Sequence, residues 1–129
     1  MKYISGILFI FLLLSCHKDK SDAYPFVDVL WNKAQVLHVP DNVGFTTYTI
    51  ASYRFGADGI YSKTGTYPIS AKWYWVEEGK RFKIDYEGLQ QYNDIVTLVT
   101  SSDTLLHVTK RIEGEPDNTG NYWEIKYRP

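Results

Sequence analysis

The chain has one cysteine, Cys16, so no internal disulfide can brace its fold and no second thiolate exists to complete a metal site. Neither sign of charge is in excess: 14 basic residues against 15 acidic ones leave a formal charge of −1. No nucleic-acid partner is expected, because phosphate binding needs a basic surface. Histidine is scarce. His17, His38 and His107 form no His-x-x-x-His or Cys–His pattern, so no metal centre is expected. The chain also lacks Gly-x-Ser-x-Gly and any glycine-rich phosphate loop. Glu77-Glu78 is an adjacent pair in a turn-like stretch, whereas glycosidase carboxylates must face each other across a cleft. Together these absences point away from an enzyme and away from any cofactor. One apolar run exists, Ile4 to Leu14. At roughly eleven residues it matches a signal-peptide core, while a membrane span needs roughly 20.

That run ends in Leu13-Leu14-Ser15-Cys16 and gives way to His17-Lys18-Asp19-Lys20-Ser21-Asp22. The tetrapeptide resembles a lipobox, the cleavage site of lipoprotein signal peptidase. The resemblance implies that residues 1–15 are a lipoprotein signal peptide. It also implies cleavage before Cys16 and attachment of lipid to its thiol, palmitate-type chains that make the membrane a partner. Each buried CH₂ contributes about 0.8 kcal/mol, so several chains hold firmly where one binds reversibly. Residues 16–26 lack periodicity and read as a flexible tether. Their charged cluster resembles stretches that follow the cysteine in lipoproteins of Bacteroidetes. His17, in place of the Asp that marks inner-membrane retention, favours a lipid-anchored location at the outer membrane, on its periplasmic face or at the cell surface.

Residues 27–129 form the expected domain, and their pattern has period two. Strands are expected at Val29 to Val39, Phe45 to Phe55, Ile60 to Lys63, Tyr67 to Val76, Arg81 to Glu87, Asp94 to Thr100 and Asp103 to Ile112. A last strand carries Trp123, Ile125 and Tyr127. Turn residues separate them: Pro40-Asp41-Asn42, Gly56-Ala57-Asp58-Gly59, Glu77-Glu78-Gly79-Lys80, Ser101-Ser102 and the polar stretch from Glu113 to Asn118. No segment has helical spacing. The fold class is therefore all-β, an antiparallel up-and-down meander of about eight strands. Such a sheet buries its apolar face by curling into a barrel or by folding over as a β-sandwich. A barrel is expected because closure removes exposed edges.

The stretch Tyr53-Arg54-Phe55-Gly56-Ala57-Asp58-Gly59-Ile60-Tyr61 resembles the hairpin of lipocalin-like lipoproteins from Bacteroidetes, in which a Y-x-F strand meets an x-x-D-G-x-Y turn. The order that follows is similar: Trp73-Tyr74-Trp75, then Phe82-Lys83-Ile84, then Ile95 to Leu98, then Asp103 to Val108. The likeness runs from about Trp31 to Tyr127 and implies a small lipid-anchored barrel. The chain departs from it at Val29-Leu30-Trp31, where the family often has Gly-x-Trp; if Trp31 still plugs the barrel base the fold carries over, and if not the first strand is misplaced.

Aromatic residues carry the functional reading. Tyr53, Phe55, Trp73, Trp75, Phe82, Tyr86, Trp123 and Tyr127 alternate onto inner faces. The interior of a small barrel is either filled by such rings or left open for one small ligand. In the open case the first seven form a ligand-binding wall for a small hydrophobic molecule. In a second reading the protein is a structural or interaction lipoprotein of an envelope or polysaccharide-handling complex. It would then use Tyr24, Tyr48, Tyr61, Tyr74, Tyr92 and Tyr122 on its outer surface to meet a protein partner.

Overall fold

The computed structural model describes residues 24–41, 43–88, 92–115 and 120–129. The signal peptide, Cys16 and residues 16–23 of the tether lie outside the described residues. The strands are β1 (Lys33–His38), β2 (Thr46–Tyr48), β3 (Ser52–Phe55), β4 (Ile60–Thr64), β5 (Ile69–Glu77), β6 (Arg81–Asp85), β7 (Asp94–Ser101), β8 (Leu106–Ile112) and β9 (Trp123–Arg128). Among the described residues there is no helix. All the pairings are antiparallel, and the sheet order is β2-β1-β9-β8-β7-β6-β5-β4-β3. This is the expected meander.

The sheet curls because its two ends are tied together. Just ahead of β1, Trp31 exchanges two backbone hydrogen bonds with Tyr53 of β3, each 2.8 Å, and the Asp28 N–H donates to the Phe55 carbonyl at 2.8 Å. The tie consumes edge donors and acceptors that would otherwise be free to pair with another chain. Asp28 helps hold this entry. It adopts a left-handed backbone (φ 61°), and its Oδ1 accepts from Arg54 Nη2 at 2.7 Å and from the Ala57 N–H at 2.9 Å.

The stretch expected as one strand, Phe45 to Phe55, is a bent path made of β2 and β3. Ala34 pairs with Tyr48, yet Trp31 pairs with Tyr53, so the register slips by two residues between them. Gly65 backs onto this corner: a Cβ there would lie 2.8 Å from the Ile50 carbonyl oxygen. Counting the bent path once leaves the eight strands that the turn residues mark out. Other strand bounds shift by a few residues: β1 starts at Lys33, just after the Trp31–Tyr53 bridge, and β8 starts at Leu106 because Ser102 turns the chain by accepting from the backbone N–H groups of Thr104 and Leu105.

The strands alternate in direction, which sorts the turns onto two ends. One end carries the turns at 56–59, 77–80 and 102–105 together with residues 24–31; the opposite end carries the connections after β1, β4, β6 and β8. The first end is filled. Phe26 stacks on Phe82 (5.9 Å, 15°) and meets Phe55 edge-on (5.8 Å, 77°), while Trp73 meets Phe82 edge-on (5.4 Å, 74°). Aromatic pairs of this kind contribute about 0.5–1.5 kcal/mol beyond the area they bury. Two of the three indoles there find acceptors: Trp31 Nε1 donates to the Phe26 carbonyl at 3.4 Å and Trp73 Nε1 to the Gly56 carbonyl at 2.8 Å, while the buried Trp75 Nε1 has no partner among the described residues. Trp31 is fully buried in this plug, the alternative under which the first strand is correctly placed.

Tyr24 and Phe26, which fall in the stretch expected as tether, pack with the core. Phe26 is 0% exposed, and Tyr24 lies against Trp75 with its hydroxyl donating to Glu78 at 2.8 Å. The reason is composition: two rings at the end of a polar stretch have an apolar site within reach, and burial outweighs the entropy of the few residues it orders.

Candidate ligand cavity

The opposite half of the barrel is not filled. It holds a half-open cavity of about 290 Å³ lined by Ala34, Val36, Tyr48, Tyr53, Tyr61, Lys63, Ile69, Tyr86, Lys110, Trp123, Ile125 and Tyr127. Strand alternation places these side chains. On β4, Tyr61 and Lys63 follow each other on the inner face; on β8, Lys110 continues the row begun by the buried Leu106 and Val108; on β9, Trp123, Ile125 and Tyr127 do the same.

Five tyrosines stand in this wall. The Tyr86 hydroxyl donates to Asp94 Oδ2 at 2.7 Å, and Lys110 Nζ lies 3.6 Å from the same oxygen. Asp94 is 4% exposed and sits behind Tyr86, outside the lining. Among the described residues the hydroxyls of Tyr48, Tyr53, Tyr61 and Tyr127 have no hydrogen-bond partner. Burial is the main cause raising the hydroxyl pKa of Tyr53, Tyr61, Tyr86 and Tyr127 above its ordinary value. Asp94 adds to the rise at Tyr61, Tyr86 and Tyr127. All four therefore stay protonated and keep a hydrogen to donate. The cations lie over rings: Lys63 Nζ is 5.9 Å from the Tyr53 centroid and Lys110 Nζ is 5.5 Å from that of Trp123.

The seven residues expected as a ligand wall divide between the two ends. Tyr53, Tyr86 and Trp123 line the cavity. Phe55, Trp73 and Phe82 belong to the buried aromatic plug, with Trp75 partly buried against it. Tyr61, expected on the outer surface, is buried and faces inward, because the tight turn at 56–59 pairs it with Phe55. Sequence reasoning also passed over Lys63, Lys110 and Asp94. Their parity with Tyr61, Val108 and Val96 was the available signal.

The two histidines among the described residues, His38 and His107, are each engaged by hydrogen bonds. His38 bonds Asp41 through Nδ1 (2.7 Å) and Asn121 through Nε2 (2.9 Å), and His107 Nε2 meets Glu124 at 2.6 Å on the neighbouring strand. Among the described residues no three His, Cys, Asp or Glu side chains converge. Comparison with protein-family models, with curated proteins and with solved structures finds no match.

Proposed function

We propose that this chain is an envelope lipoprotein, lipid-anchored at the outer membrane, whose lipocalin-like barrel binds one small, largely apolar ligand without catalysing a reaction. The observation that carries the reading is the contrast between the barrel's two halves. The tether end is packed solid with Phe26, Trp31, Phe55, Trp73 and Phe82. The other half, equally rich in rings, leaves about 290 Å³ open. A core whose only task was stability would lose free energy by leaving such space, because lining atoms forgo their dispersion contacts. The volume stands at the small end of ligand sites and equals about ten liquid waters.

The position of Tyr24 at the plugged end bears on the anchor. Lipid on Cys16, a few residues upstream, would hold that end toward the membrane and leave the cavity facing away from it. The ligand then arrives from the aqueous side.

Two measurements test this. Fractionation of cells making the native chain and Cys16→Ser should place the first with the outer membrane and release the second. Equilibrium dialysis of the lipidated protein in detergent, against detergent alone, should show 1:1 saturable uptake of 2-naphthoate or its neutral isostere 2-naphthamide. Uptake of neither refutes the binding function.

A further inference from the structure

The wall of the cavity is asymmetric in charge. It contains two cations, Lys63 and Lys110, and no carboxylate. The nearby acid, Asp94, is buried behind Tyr86 and engages Lys110 alone of the two lysines. Among the described residues Lys63 has no carboxylate partner; its ammonium lies over the Tyr53 ring. The lining thus carries one neutralised cation and one uncompensated cation, beside tyrosine hydroxyls that lack acceptors. A neutral apolar ligand would strip water from Lys63 and from these hydroxyls and give nothing back. An anion would satisfy both, since ammonium and phenol are donors to an oxyanion. The remaining wall is aromatic and apolar: it holds the rings of Tyr53, Tyr127 and Trp123 together with Val36, Ile69 and Ile125.

Resting on the binding function proposed above, we infer that the ligand is a small planar monoanion, an aromatic carboxylate in chemical class. Its carboxylate sits at Lys63, within reach of the tyrosine hydroxyls, and its ring lies against the aromatic wall. Lys63 is a specificity-determining residue; Lys110 is held by Asp94 and contributes less.

The test is a comparison of 2-naphthoate with 2-naphthamide, which differ in charge and hardly in shape, by dialysis on the lipidated chain. Naphthoate should bind at least about tenfold more tightly, as one charge-assisted contact provides. Lys63→Met, which keeps the stem, should remove most of that preference, read as the ratio of the two affinities in the same variant, and Lys63→Arg should restore it. Equal affinities, or tighter naphthamide, would overturn the inferred charge while leaving the binding function standing. Binding of neither probe would overturn both. Octanoate forms the flexible-chain arm: weaker binding than naphthoate supports a planar ligand, and tighter binding overturns that part.

Discussion

Phe26 is the residue on which the plugged end turns, and replacing it by alanine measures that end directly. Its side chain is 0% exposed, with the rings of Phe55, Trp73, Trp75 and Phe82 at centroid distances of 5.8–6.1 Å and Tyr24 at 6.4 Å. Removing a ring that buries about 150 Å² at roughly 25 cal/mol per Å² withdraws about 4 kcal/mol. The hole does not close easily, because Phe55, Trp73, Trp75 and Phe82 are fixed on paired strands. The expected loss therefore lies in the upper part of the range for such substitutions, about 3–5 kcal/mol. For a domain of this size that is a fall in Tm of at least roughly 12 °C, or in urea a midpoint lower by more than about 1 M with an unchanged slope. Because Phe26 does not line the cavity, the folded variant should still bind a probe there. A loss below about 1 kcal/mol would refute the reasoning, for it would mean that residues 24–31 lie on the barrel without closing it.

Trp73→Phe keeps most of the ring but removes the indole donor to the Gly56 carbonyl, which retains the Gly59 N–H, and should cost about 0.5–1.5 kcal/mol for the lost hydrogen bond; urea titration reads it. Gly65→Ala should cost more than about 1 kcal/mol: at φ 127° its Cβ would stand 2.8 Å from the Ile50 carbonyl oxygen, on backbone that cannot swing aside. A neutral result there would remove the corner between β2 and β3 as a constraint. His38 should show the pH dependence. Hydrogen bonds to Asp41 and then Asn121 raise its pKa above 6.5 in the folded state. Its contribution is present in full below the unfolded value and is lost as pH rises through the folded one. Between about pH 6 and pH 8.5 the native Tm should therefore fall further than that of His38→Gln. Parallel curves would contradict the assignment.

Much of this architecture can be read from residues alone, and the gaps have physical causes. Two-residue alternation places Trp73, Phe82, Ile84, Leu106, Val108 and Ile125 inward, and all are buried. Which inward rings touch one another is another matter, because it depends on height along the barrel. Phe55, two residues beyond Tyr53, belongs to the filled half, while Tyr53 lines the space. Period says which face a residue takes and is silent about depth. The lysines were overlooked for a different reason. A charge among polar neighbours looks like an outer position, yet Lys63 and Lys110 share the parity of buried residues on their own strands. Phe26 escaped because its partners, Phe55 and Phe82, lie far along the chain, and no local pattern announces a long-range contact.

The claim at the centre is a barrel closed by aromatic rings near its tether and open to a small molecule at the other end. Amide chemical-shift mapping during titration with 2-naphthoate tests it most directly. The account predicts saturable shifts at residues 34–36, 53, 61–63, 86, 110 and 123–127, with Phe26, Trp31 and Phe82 undisturbed. No saturable shift, or shifts gathered at the plugged end or on the outer face of the sheet, would contradict it.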